Sequence, residues 1–191
     1  MKCPICKTVA LVDSELPQGP ASHHCTQCGG HWVESKRYWA WLESPEAKAD
    51  LPATAGEVHF AVTDSMKAKI CPECGHLLSR AKAGHGADFY LDRCSHCGGI
   101  WFDAMEWEAL RAKGLHDDVH FVFSKAWQAE IARAERQKQH DRLLREKLGD
   151  ADFAEIQRIK AWLDAHPHRP ELYAVLMADA GAAVPAVEHR T

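Results

Sequence analysis

Eight cysteines carry the chemistry this chain can do. They fall into four Cys-x-x-Cys pairs, Cys3/Cys6, Cys25/Cys28, Cys71/Cys74 and Cys94/Cys97, with none left over. A disulfide framework needs an oxidising compartment, and the opening Met1-Lys2-Cys3-Pro4-Ile5-Cys6 has none of the apolar core of a secretory leader. A thioredoxin-like redox pair needs its thiols at the start of a helix beside a strand. Here the pairs come two by two, and three of them run straight into a glycine, Gly29, Gly75 or Gly98. Glycine suits the tight turn after a second thiolate because it tolerates positive φ and lets backbone N–H groups approach sulfur. Metal binding is therefore the preferred reading, with zinc as the ion.

Spacing sorts the pairs into two sites. Cys6 and Cys25 are separated by 18 residues, and Cys74 and Cys94 by 19, which suits a β-hairpin that folds back to close a tetrahedral site. Cys28 and Cys71 are separated by 42, too many for one compact ribbon. One ion is thus expected on Cys3, Cys6, Cys25 and Cys28, and a second on Cys71, Cys74, Cys94 and Cys97. Four protein ligands leave no open coordination position, the mark of a structural site and not a catalytic one.

The elements that must hold these ligands are duplicated. Cys3-Pro4-Ile5-Cys6 matches Cys71-Pro72-Glu73-Cys74, and Cys25-Thr26-Gln27-Cys28-Gly29-Gly30-His31-Trp32-Val33-Glu34 matches Cys94-Ser95-His96-Cys97-Gly98-Gly99-Ile100-Trp101-Phe102-Asp103. Val58-His59-Phe60-Ala61-Val62 echoes Val119-His120-Phe121-Val122-Phe123, and its alternation predicts a strand in each copy. Short helices are predicted over Glu34–Glu43 and Asp103–Lys113, the second ended by Gly114. Two copies suggest a pseudo-twofold pair more than a solenoid, which needs at least three stacked units. Trp32 and Trp101, four residues past the last ligand of each copy, are expected to shield the thiolates from water. Tyr38, Trp39, Trp41 and Leu42 crowd the first helix; a core wedge is the first reading and a partner-binding patch the second.

At these residues the chain resembles the transcription factor IIB-type zinc-ribbon family of small bacterial proteins. That family's pattern is Cys-Pro-x-Cys, a hairpin ending in Asp-x-Cys-x-x-Cys-Gly-Gly-x-Trp-hydrophobic-Asp, then a Glu-Leu helix. The second copy follows it through Cys71-Pro72-Glu73-Cys74-Gly75, Leu91-Asp92-Arg93-Cys94, Cys97-Gly98-Gly99-Ile100-Trp101-Phe102-Asp103 and Glu108-Ala109-Leu110. The first copy departs at Lys7, at His23-His24 and at Glu34 while keeping its ligands. The resemblance covers residues 3–42 and 71–110, and implies two zinc ions and a ribbon fold.

The last third changes character. Ser124–Leu148 lacks proline and glycine and predicts one long helix capped by Ser124. Residues 132–147 carry Arg133, Arg136, Lys138, Arg142, Arg145 and Lys147 against Glu135, Asp141 and Glu146, which reads first as a solvated face and second as a nucleic-acid contact. Asp152-Phe153-Ala154-Glu155 has capping-box form and predicts a second helix with Phe153, Ile156, Ile159, Trp162 and Leu163 on one face, stopping before Pro167. Pro170 predicts the first turn of a third. The fold class is therefore α+β, two tandem ribbons and a helical tail, with domains at 1–63, 64–123 and 124–191. Thirteen histidines include His23, His24, His31, His76 and His96 near the knuckles; with eight thiolates present they are expected to be exposed or in the outer shell.

With 46% hydrophobic and 26% charged residues the chain is too apolar to be wholly disordered. No apolar run approaches the roughly 18 residues of a membrane span. The net charge of −4 falls to about −8 once eight thiolates bind two divalent ions, which disfavours phosphate backbones. Phosphate loops, dinucleotide fingerprints and nucleophile elbows are absent, so no enzyme activity is expected. The preferred function is a non-enzymatic, cytoplasmic adaptor with an unidentified protein partner, transcription-linked by resemblance. A nucleic-acid-binding regulator is the runner-up. A rubredoxin-like iron electron carrier is third, because four thiolates also hold iron.

Overall fold

In the computed structural model, residues 1–47 and 60–178 are described here. Two compact units divide the chain, Met1–Ala134 and Glu135–Thr191. The first begins with the hairpin β1 (Val12–Glu15) and β2 (Ala21–His24), then β3 (His31–Val33) and helix α1 (Ser35–Leu42). The second copy repeats the order: β4 (Leu78–Gly84), β5 (Ala87–Cys94), β6 (Ile100–Phe102) and α2 (Glu106–Ala112). The six strands among the described residues form one antiparallel sheet in the order β1-β2-β3-β6-β5-β4. That order is palindromic. The pseudo-twofold axis passes between β3 and β6, where Trp32 faces Trp101, His31 faces Phe102 and Val33 faces Ile100.

Strand alternation gives this sheet two differently used faces. Val33, Ile100 and Phe102 turn to one side and join Tyr38 and Trp41 of α1, Trp107 and Leu110 of α2, and Phe89 and Leu91 of β5 in the main core. Trp32 and Trp101 turn to the other and pack with the thiols. The aromatic crowd on α1 is therefore mostly core: Tyr38 and Trp41 are buried, and only Trp39 keeps a large exposed surface, at 42%. A core-forming role was the first reading for this stretch, and burial of the 3.6-period face explains it.

Each hairpin turn needs a large side chain to close over it, and the two copies find different ones. At the β1–β2 turn, Trp107 of α2 covers Gly19, where a Cβ would collide with the indole, and donates its Nε1–H to Pro17 O at 3.0 Å. At the β4–β5 turn, Ile131 fills the space over Gly84, and Trp127 donates to Ala83 O at 2.8 Å. Both belong to α4 (Lys125–Leu148). The start of the long helix is thereby fastened to the second ribbon, and Ser124 caps it by accepting the Trp127 N–H at 3.2 Å.

The second Val-His-Phe segment does not form the expected strand, and the first falls partly outside the described residues. Val58 and His59 lie outside the described residues, and Phe60–Val62 joins no sheet. Val119–Val122 is a single helical turn, α3. Val119 and Val122, three residues apart, are both buried while Phe121 is exposed. Val-His-Phe-Val satisfies a period of two and a period of three alike, and packing against the core chose the second.

The second unit contains the rest of α4 with α5 (Asp150–Ala165) and α6 (Arg169–Ala178). α5 starts two residues before Asp152, the start the capping-box pattern suggested, because Gly149 at φ 85° turns the chain there. Pro170 sits in the first turn of α6 as expected. Tyr173 donates to Asp164 Oδ1 at 3.1 Å and Arg169 pairs with the same carboxylate at 3.4 Å, tying α6 to α5.

Candidate metal centres

The two cysteine sets come together as the spacing requires. In each set all four Sγ atoms lie within 4.8 Å of one another. Neighbouring sulfurs are 3.6 Å (Cys3–Cys28), 3.8 Å (Cys6–Cys25), 3.6 Å (Cys71–Cys97) and 3.4 Å (Cys74–Cys94) apart. A tetrahedron with Zn–S bonds of about 2.3 Å has edges of about 3.8 Å, so the spacing fits zinc. It excludes disulfides, which need about 2.05 Å, and all eight cysteines are free.

Each knuckle is a turn that aims N–H groups at sulfur. Ile5 and Cys6 donate to Cys3 Sγ at 3.4 and 3.3 Å, and Cys74 donates to Cys71 Sγ at 3.4 Å. The turn closes through Lys7 N–H to Cys3 O, Gly29 to Cys25 O, Gly75 to Cys71 O and Gly98 to Cys94 O, at 2.9–3.1 Å. All four donors have positive φ, from 64° at Lys7 to 77° at Gly75 and Gly98. Lys7 holds this conformation without glycine's freedom, at a cost on the order of 1 kcal/mol.

These donations tune the thiols. Burial raises Cys25, but N–H groups of Cys28 and Gln27 and the adjoining thiols outweigh it and bring it down to about 7. Cys94 comes down to about 7 against burial in the same way, through Cys97, His96 and the thiols of Cys74 and Cys97. Burial pushes Cys3, Cys28, Cys71 and Cys97 up. Their ionisation thus accompanies metal binding, which releases protons.

The histidines stay outside the ligand sets. His76 and His96 stack at 4.2 Å, and His76 Nδ1 lies 3.3 Å from Cys74 Sγ, an outer-shell contact. His31 is hydrogen-bonded to Ser22 at 2.9 Å and is held down to about 4 by burial and by neighbouring His24.

Residues 2–44 and again 70–113 match the family model described as transcription factor zinc-finger. Each repeat is thus similar to the zinc ribbon of that family. No curated protein and no solved structure matches the chain. Cys3, Cys6, Cys25 and Cys28 would hold one zinc ion, and Cys71, Cys74, Cys94 and Cys97 the other. With every coordination position taken by protein sulfur, the chemistry the ions supply is crosslinking of the ribbons.

Beside the second site lies a buried polar network that the cysteine pattern did not point to. Lys69, with its side chain wholly buried, donates from Nζ to Asp92 at 2.5 Å and Ser65 O at 2.9 Å, and lies 3.3 Å from Asp103. Asp103 also accepts from Trp101 Nε1 at 2.6 Å and from Ser65 N–H at 2.8 Å. Glu106 accepts the Asp103 N–H at 2.8 Å through Oε2, and its Oε1 has no partner among the described residues. The two aspartates were visible as part of the ribbon motif; nothing in the sequence marked Lys69 as buried. Asp64, Asp103 and Glu106 cluster closely, yet Lys69 and Arg80, which pairs with Asp64, already supply the positive charge a cation would bring. In the first ribbon His23 stands where Asp92 does and pairs with Glu34 and Asp13, each at 3.0 Å. Trp32 Nε1, the counterpart of the bonded Trp101 nitrogen, has no partner among the described residues.

Glu106 gives a pH test. Burial, then the Asp103 charge, holds its carboxyl well above the usual carboxylate range. The folded state therefore keeps a proton that the unfolded chain loses near pH 4.5. Its contribution to stability is complete below that pH and is lost as pH rises toward the folded-state value. Glu106→Gln should gain stability relative to the parent between pH 5 and pH 8 in zinc-replete denaturant melts. A constant difference across that range would show that Glu106 is ionised in the fold.

Proposed function

We propose that this chain is a zinc-stabilised, non-enzymatic adaptor that binds protein through apolar side chains of its C-terminal helices. The observation that carries the reading is their exposure. Ile156, Ile159 and Trp162 on α5 and Val175, Leu176 and Met177 on α6 remain open, with Trp162 at 55% and Met177 at 71%. Exposed apolar side chains on paired helices suit an amphipathic helix of a partner. The closed metal sites agree with a structural use of zinc. No helix among the described residues is long and apolar enough to cross a membrane.

Phosphate contacts on the ribbons would fall to Arg80, Lys82 and Arg93. Arg80 pairs with Asp64 and lies over Tyr90, Lys82 pairs with Asp88 at 3.0 Å, and Arg93 lies over Phe123. These engagements disfavour nucleic acid on the ribbons. The nucleic-acid reading keeps its support on α4, where Arg133, Arg136, Lys138 and Lys147 are exposed.

The test compares the intact chain with Trp162→Asp/Met177→Asp. Proteins crosslinked to the parent should be lost with the variant, whose thermal melt stays unchanged because both sites are exposed. Labelled duplex and single strands at near-physiological salt should show no submicromolar affinity. Unchanged crosslinking, or tight salt-sensitive nucleic-acid binding lost on Arg133→Ala/Arg136→Ala, would replace this reading with the runner-up.

A further inference from the structure

We infer that the two zinc sites are coupled, so that each ribbon holds its ion tightly only while the other is metallated. The basis is an exchange of side chains across the pseudo-twofold axis. Trp32 packs against Gly99 of the second ribbon, and Trp101 against Gly30 of the first; a Cβ at either glycine would lie inside the facing indole. Gly30 and Gly99 are the second glycines of the two Cys-Gly-Gly segments, so each indole rests on the knuckle that shapes the other metal site. A second pair of contacts repeats the exchange. A Cβ at Gly98 would meet Ser35 Oγ at 2.9 Å, and one at Gly29 would meet Ala104 Cβ at 3.2 Å. Ser35, the first residue of α1, and Ala104, in the turn two residues before α2, therefore each sit against the opposite knuckle.

Both indoles are fully buried, in one cluster with Cys3, Cys25, Cys71 and Cys94. Release of Cys25 and Cys28 would free the Gly29-Gly30 turn and remove the wall behind Trp101. Trp101 in turn orients Asp103 through its 2.6 Å hydrogen bond, and Asp103 bonds the segment entering the second site through Ser65. Coupling of binding free energies is reciprocal, so the effect is readable at either site.

The experiment uses the full zinc-loaded chain, a graded chelator, native mass spectrometry to count ions and tryptophan fluorescence to follow the indoles. Chains with one ion should stay below about a quarter of the total at half removal, as a roughly 10-fold coupling requires. Independent equal sites would give about half, and one-ion chains at half or more would overturn the inference. A second arm uses Cys25→Ser/Cys28→Ser. Zinc affinity at the remaining site should drop by about 10-fold or more, with complete loss as its strongest form. Parent-like affinity there would equally overturn it.

Discussion

Cys94→Ser should unfold both ribbons and leave the α5–α6 hairpin standing. The substitution removes one of four thiolates from the second site, and for a metal-closed ribbon binding energy is folding energy, on the order of 10–16 kcal/mol for a structural zinc. The loss reaches one whole face of the sheet, because the side bearing Trp101 packs against the thiols. Damage should not stop at the second ribbon, as separate tandem domains would suggest. Trp32 pairs with Trp101 across β3 and β6, and Trp107 of the second copy covers the β1–β2 turn of the first. Hydrogen exchange should show protection lost over Val12–Val33 as well as over Leu78–Phe102. Far-ultraviolet dichroism should keep most of its helical signal, since α5 and α6 belong to the other compact unit. Retained protection over Val12–Val33 would mean that the first ribbon folds alone.

Lys69→Ala should destabilise the first unit by about 3–5 kcal/mol, because it leaves Asp92 and Asp103 buried without their shared cation. Breaking a buried pair costs more than never having had one, so Lys69→Met combined with Asp92→Asn should recover most of the loss. A surface pair in the first ribbon gives the contrast. Lys36 pairs with Glu34 at 2.9 Å but is 81% exposed, and Lys36→Ala should cost less than about 1 kcal/mol. Denaturant melts on zinc-replete protein separate the two. Equal, small losses would show that Lys69 is not paired in solution.

The metal sites were legible because ligand chemistry is local: Cys-x-x-Cys fixes a knuckle, and an interval near 18 residues fixes a hairpin. The helical third was legible for a similar reason, since proline, glycine and a 3.6 period punctuate it. What could not be read was how the copies meet. β3 and β6 are three residues long and carry no pairing signal of their own, yet they make the join. Gly30 and Gly99 look like turn residues in the sequence, whereas their lack of a Cβ serves the opposite indole. Lys69 two residues before a ligand looks like an ordinary surface lysine until Asp92 and Asp103 are placed around it. Val119–Val122 failed as a strand because its pattern fitted two periods and only the surroundings could choose.

The central claim is that two four-thiolate zinc centres build this fold. Protein purified without added metal and submitted to elemental analysis tests it most directly. The account predicts about two zinc per chain, no visible absorption from iron, and eight thiols titratable only after chelation and denaturation. Iron in place of zinc, one ion or none, or cysteines recovered as disulfides would contradict it.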